Sequence, residues 1–113
     1  MMLRWLPALL AAGLAAGAAA QTSAQAFDVP PELWERPRTG AAVLGQEPVR
    51  RAVLQALANA DAQLVIHHGP GQETQVQAEE LKSWLAALAI DPKRVALRGD
   101  GAAGSPMKIE IVP

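Results

Sequence analysis

The residues best suited to chemistry in this chain are two adjacent histidines, His67 and His68, followed by the glycine-rich loop 69–71 and by Glu73. Imidazole and carboxylate groups are common zinc ligands, so the histidine pair is a candidate metal site. The two histidines end an apolar run typical of a strand, and successive strand residues point to opposite faces. We therefore expect one histidine in the core and the other hydrogen-bonded to the loop, with no resident metal or other cofactor.

Other catalytic patterns are missing from the sequence. Ser83 and Ser105 do not lie beside a histidine in a nucleophile-elbow pattern. The glycines at 69 and 71 lack the spacing and the lysine of phosphate-binding loops. The sequence therefore predicts a protein that is not an enzyme.

The first 26 residues predict a secretory signal peptide. Arg4 supplies a positive start, residues 5–20 are almost entirely apolar, and small residues follow. Cleavage after Ala20 or after Ala26 fits the preference for small residues at such sites. The apolar run is shorter than the roughly 20 residues of a membrane helix. We expect a periplasmic protein without a membrane span after cleavage; retention of the segment as an N-terminal anchor is the alternative.

Composition limits the partners and the size of the fold. The chain has 113 residues with 10 Lys and Arg against 11 Asp and Glu, a net charge of −1, so no basic patch for nucleic acid or for anionic lipid is expected. There is no cysteine, and disulfides cannot stabilise the domain despite the predicted export. What remains after cleavage is enough for one small domain.

Periodicity predicts the elements of that domain. Apolar residues at helical spacing predict a first helix at 47–58 and a second from Thr74, where Thr74 and Gln77 match a capping box. Short apolar runs predict strands at 63–68, 94–98 and 107–112.

Residues 27–46 are predicted to form an extended N-terminal segment. Three prolines argue against a regular helix and allow an extended edge strand around 32–36, followed by a connection at 39–46. Trp34 in this segment is a candidate for docking another protein, together with Arg50 and Arg51 on the polar side of the first helix. The alternatives are that Trp34 covers one end of the core and that the arginines are a solvated surface.

Two stretches carry a family resemblance. QLVIHHG at 63–69 and LKSWLAALAIDPKRVALRGDG at 81–101 resemble the OmpA-like periplasmic domain family. The resemblance implies an α+β fold with element order β-α-β-α-β-β. It would be a two-layer sandwich at 47–113, with a mixed sheet and two helices on one face.

The chain departs from that family at the ligand site. OmpA-like domains hold the diaminopimelate of peptidoglycan with an aspartate and an arginine, and the corresponding positions here are Pro70 and residues 76–78, which carry no charge. The resemblance and this departure together indicate a non-catalytic accessory protein of the bacterial cell envelope. We expect it to bind another envelope protein through Trp34, the loop 99–106 or an edge strand.

Two other functions stay open from the sequence. One is a peptidoglycan-binding domain with a rebuilt site at His68, Gln72, Glu73 and Arg98. The other is a periplasmic metal-binding protein that uses His67 and His68.

Overall fold

The computed structural model describes residues 24–113, so most of the predicted signal peptide, including the site after Ala20, lies outside the described residues. The described chain is an α+β domain with a four-stranded mixed sheet and three α-helices. The strands are β1 (Gln25–Asp28), β2 (Gln63–His67), β3 (Val95–Arg98) and β4 (Lys108–Val112), and the helices are α1 (Gly40–Gly45), α2 (Glu47–Ala58) and α3 (Gln72–Ala87). Within residues 24–113, no helix combines the length and the apolar character needed to cross a membrane.

The sheet has the strand order β1-β4-β2-β3. β4 runs antiparallel to both of its neighbours, whereas β2 and β3 are parallel. Parallel neighbours need a long connection, and α3 supplies it. The last strand of the chain therefore lies inside the sheet, between the first two.

One face of the sheet carries the hydrophobic core. Alternate residues of the central strands, Leu64 and Ile66 of β2 with Ile109 and Ile111 of β4, are buried against the helices. The buried helix residues that meet them are Val49, Ala52, Val53 and Ala56 of α2 and Ala78, Leu81 and Leu85 of α3. The opposite face, here called the open face, presents one polar row across all four strands: Asp28, Lys108, His67 and Arg98.

The prediction for the N-terminal segment is wrong in two places. Residues 32–36 are not an edge strand, because Pro31–Glu35 forms a 3₁₀ helix with its proline in the first turn and Leu33 buried beneath it. The predicted connection at 39–46 contains α1, whose first turn is capped by the hydroxyl of Thr39 accepting from the N–H of Ala42 at 3.0 Å. The edge strands of the sheet are β1, which begins before the predicted segment, and β3.

The two longer helices lie where the sequence pattern predicts them, but one apolar residue of α2 is exposed and α3 begins earlier and is capped differently. α2 has the predicted bounds, but Leu57, an apolar residue of its last turn, is 47% exposed. α3 begins at Gln72, and its N-terminal cap is Gly71, with φ of 112°. The capping box at Thr74 is therefore wrong: its hydroxyl donates to the carbonyls of Gly69 and Gly71.

Arg94 fastens the second half of the domain to the end of α2. Its guanidinium donates to the carbonyls of Ala56, Asn59 and Ala62 at 2.7 to 2.9 Å. Carbonyls at a helix C-terminus lack intrahelical partners, and a cation there also complements the helix dipole. The side chain thus closes α2 and anchors the turn that leads into β3.

The C-terminus of α3 contains a strained residue. Ile90 N–H bonds to the carbonyl of Leu85 and Ala89 N–H to that of Ala86, the two bonds of a Schellman motif. Ala89 sits at the left-handed position of this motif with φ of 77°, where glycine is preferred. The helix therefore ends in a left-handed backbone conformation that is unfavourable for alanine.

Replacing Ala89 with glycine should stabilise the domain. A left-handed alanine costs about 1–2 kcal/mol, part of which glycine forfeits through its greater freedom when unfolded, so we expect a gain of about 0.5–1 kcal/mol. Urea denaturation of wild type and Ala89→Gly measures the difference. The matched control, Ala87→Gly at the last helical position of α3, should instead lower the stability, and a loss in both variants would contradict the strain.

Candidate functional site

A cleft of about 430 Å³ opens between the first 3₁₀ helix, the start of α3 and the β3–β4 loop at residues 99–106. Its wall combines apolar side chains with neutral polar groups, and none of its lining residues is charged. We call it the Trp34 cleft, and its lining residues are Val29, Pro31, Trp34, Gly69, Thr74, Gln77, Gly104, Ser105, Pro106 and Met107.

Hydrogen bonds fix the walls of the Trp34 cleft. Thr74 ties α3 to the end of β2 by donating to the Gly69 carbonyl at 2.7 Å. The far end of the β3–β4 loop is fixed by the N–H of Val29, which bonds to the carbonyl of Met107 at 2.7 Å. Ser105 N–H closes a turn onto Ala102. The cleft is thus a preformed feature built by segments far apart in sequence.

An ion pair stands beside this cleft. Arg38 binds both carboxylate oxygens of Glu80, one of them at 3.2 Å, and its guanidinium lies 5.4 Å from the centroid of the Trp34 ring. Glu80 also accepts from the indole N–H of Trp84 at 3.1 Å. The bond from Arg38 holds the pKa of Glu80 below its ordinary value.

The pairing determines the electrostatics of the cleft. Arg38 is a basic and Glu80 an acidic side chain near Trp34, and Glu80 lies one helical turn after Gln77. The two charges form an ion pair with each other. A bidentate arginine–carboxylate pair neutralises both partners and fixes their orientation. The cleft therefore offers a ligand an aromatic ring, aliphatic surface and neutral hydrogen-bonding groups, without a charge to match.

A second cluster of ionisable groups lies on the open face. His67 Nδ1 is 2.7 Å from Asp100 of the β3–β4 loop, and His67 Nε2 is 2.8 Å from Glu110 of β4. The hydrogen bonds to Asp100 and then to Glu110 raise the pKa of His67, and the pKa of Asp100 is lowered in turn. The ring bridges two carboxylates that contact different nitrogens, so the three groups do not converge on one point. Among residues 24–113, no three potential ligands are placed to hold a metal ion.

His68 is a core residue. It is 9% exposed, its Nδ1 lies 3.0 Å from the Gly69 carbonyl, and its ring packs against the backbone of Gly99. A Cβ at Gly99 would lie 3.0 Å from the His68 ring, and a Cβ at Gly101 would lie 3.0 Å from the His68 carbonyl oxygen. These contacts leave no room for an external ligand at His68.

The side chains of the four residues predicted for a rebuilt ligand site do not converge, although the N–H of His68 bonds to the carbonyl of Arg98 at 2.9 Å. Gln72 and Glu73 are exposed on the first turn of α3, His68 is buried, and Arg98 is exposed on the open face. None of the four lines the Trp34 cleft. Sequence proximity suggested this grouping, but the alternation of strand residues separates its members.

The residues predicted for protein binding also divide. Trp34 lines the cleft described above. Arg50 donates to the carbonyl of Leu44 at 3.3 Å, and Arg51 lines a separate cleft beside β1. The structure therefore does not combine Trp34 with the two arginines.

Sequence reasoning missed the partners of Trp34. Glu80 and Trp84 are one helical turn apart, and this spacing is the only signal in the sequence of their contact. Arg38 lies 42 residues away from Glu80, in a segment without periodicity. Gln77 was read as part of a cap, and no local pattern placed it in a cleft with Ser105.

Comparison with protein-family models, with curated proteins and with solved structures finds no match to this chain.

The Arg38–Glu80 pair should stabilise the fold in a pH-dependent way. Because the folded-state pKa of Glu80 is depressed, its contribution is present above the carboxyl's ordinary pKa and is lost as pH falls through the folded value. Glu80→Gln should therefore lower the urea midpoint at neutral pH and have little effect in acid. Glu79→Gln, an exposed neighbour, is the control. An equal loss for Glu80→Gln at both pH values would contradict the role of the charge.

Proposed function

We propose that this chain is a non-catalytic accessory protein of the bacterial periplasm that binds an uncharged segment of another envelope protein in the Trp34 cleft. The observation that supports this is the meeting of Trp34 and the β3–β4 loop in one preformed cleft without a charged lining residue. Both features were candidates for protein binding from the sequence.

The chemistry of the cleft suits an extended, apolar peptide. Aromatic-lined grooves accept extended and proline-rich segments, whose apolar side chains fill the groove. Here Trp34, Pro31, Pro106 and Met107 supply the apolar surface. Gln77 contributes an amide that can both donate to and accept from a peptide backbone. A charged side chain would lose water on entry without gaining an opposite charge, so the cleft disfavours it.

The scaffold is proposed to be a divergent OmpA-like domain. The support is the resemblance of residues 63–69 and 81–101 to that family. A four-stranded mixed sheet with its helices on one face is compatible with this resemblance. Where the family's arginine would stand, the helix has Gln77 in the cleft wall. A neutral amide cannot pair with the carboxylate of diaminopimelate as a guanidinium does.

A peptidoglycan-binding function is the second candidate. It is favoured by the position of the Trp34 cleft, which lies between Gly69 and the first turns of α3. In that case the contact would be to an uncharged part of the polymer, because the cleft lacks partners for a zwitterion. The third possibility, metal binding through His67 and His68, has no such support, since the two rings have separate surroundings.

Site-specific photo-crosslinking tests the protein-binding proposal. A photoreactive residue at Gln77, in the cleft wall, should capture a periplasmic protein in cells, and Trp34→Ala should reduce that yield several-fold by removing the aromatic anchor. The same residue at Asp61, exposed in the α2–β2 turn, is the control.

The outcomes separate the candidates. A Gln77 crosslink that Trp34→Ala leaves unchanged would contradict binding in the cleft. Sedimentation of the protein with purified peptidoglycan, abolished by Trp34→Ala, would replace the first candidate with the second.

The structure also bears on the proposed export. Cleavage after Ala26 would remove Gln25 and Ala26, which pair with Ile111 and Glu110 of β4 and form half of β1. We therefore expect the periplasmic protein to begin at Gln21. Mass spectrometry of the purified protein identifies the end, and a chain produced from Phe27 should be less stable to urea than one produced from Gln21. A mature protein starting at Phe27 would contradict this expectation.

A further inference from the structure

The β3–β4 loop, one wall of the Trp34 cleft, is attached to the sheet by a histidine. Asp100, near the start of the loop, contacts His67 Nδ1 at 2.7 Å, while Glu110 of β4 contacts His67 Nε2 at 2.8 Å. A carboxylate only accepts hydrogen bonds, and an imidazole carries an N–H on both nitrogens only when it is protonated. When both carboxyl groups are ionised, the two hydrogen bonds can therefore form together only if the ring is positively charged.

We propose that His67 is a proton-controlled latch: its charged ring holds the β3–β4 loop against the open face, and loss of the proton releases the loop at Asp100. The proton would thereby control one wall of the Trp34 cleft. The use of the latch in partner binding rests on the proposed function, whereas the latch itself rests on the contacts of His67.

Loss of the proton should break the contact with Asp100 and not the contact with Glu110, because Glu110 is held in a strand. A neutral ring has one N–H and one lone pair, and the lone pair repels whichever carboxylate faces it. Glu110 belongs to β4, which is hydrogen-bonded on both sides. Asp100 belongs to a loop, and its side chain is 55% exposed compared with 32% for Glu110, so it can turn into water at little cost.

The surrounding charges act in both directions. Lys108 lies opposite His67 on β4 and is paired with Asp28 of β1 at 3.3 Å, and Arg98 lies beside His67 on β3. Burial of the ring lowers its pKa and nearby like charges disfavour its charged form, but the two carboxylates hydrogen-bond to the ring directly. The hydrogen bonds to Asp100 and Glu110 therefore prevail, and the pKa of His67 lies above its ordinary value of 6.5.

The sign of the pH effect follows from that direction. Because the folded-state pKa is raised, the stabilisation by the latch is fully present below the ordinary histidine pKa. It is lost as pH rises through the folded value. The loop should thus be held in mildly acidic surroundings and loosened in alkaline ones.

Release should loosen the loop without unfolding it. The N–H of Gly101 still bonds to the carbonyl of His68 at 2.9 Å, and that of Ser105 to Ala102 at 3.1 Å. These two amides report on the loop, since each is protected from exchange only while its hydrogen bond is formed.

The test combines histidine titration with amide hydrogen exchange, both by NMR. The chain has only two histidines, so the His67 ring signal is readily assigned. We expect the protection factors of Gly101 and Ser105, corrected for the intrinsic pH dependence of exchange, to fall about fivefold or more as His67 loses its proton, the lower range of coupling between sites. Protection that stays constant through this titration would overturn the latch.

Variants separate the latch from a general effect of pH. Asp100→Ala, a change at an exposed position that removes the acceptor and should leave the fold intact, is expected to give low protection at every pH, and His67→Gln should do the same. Asp28→Asn removes the ion pair beside the latch and should keep the pH dependence. Loss of that dependence in Asp28→Asn as well would overturn the specific role of His67. None of these measurements needs a ligand, so a failure of the proposed function would not be mistaken for a failure of the latch.

Discussion

The domain depends on the placement of its last strand. β4 lies between β1 and β2, and it supplies Ile109 and Ile111 to the core and Glu110 to the open face. Without it, β1 has no partner strand and β2 keeps only its parallel neighbour. Because β1 and β4 are at opposite ends of the described chain, the sheet is complete only when the ends have met, a non-local topology of the kind that folds slowly.

Two polar contacts then attach the segments that the sheet does not contain. Arg38 and Glu80 hold the N-terminal segment to α3, and His67 and Asp100 hold the β3–β4 loop to the open face. The first attachment lies beside the aromatic ring of Trp34, and the second holds the start of the loop whose far end, at Gly104 to Pro106, lines the Trp34 cleft. The cleft is neutral because the first attachment uses the nearby charges.

Local patterns in the sequence predicted much of the fold and little of the site. Periodicity is a property of neighbouring residues, so α2 and the three strands from β2 onward follow from it to within a residue or two. The prolines of residues 30–37 disrupt helical spacing, which concealed the 3₁₀ helix. The partners of Arg38 and His67 are 42 and 33 residues away, and no periodicity connects such distances. The sequence shows each ionisable side chain, but which residue it pairs with is determined by the fold.

The close approach of Gly99 and Gly101 to His68 limits which substitutions these positions can accept. Gly99 and Gly101 flank Asp100, and a Cβ at either would lie 3.0 Å from an atom of His68, which is closer than ordinary van der Waals contact. A substitution there would require a small shift of His68 or of the backbone that also carries Asp100. Substitutions at positions 67, 68, 99, 100 and 101 therefore depend on one another. Across homologous sequences these five positions should covary, while the exposed remainder of the loop varies independently of them.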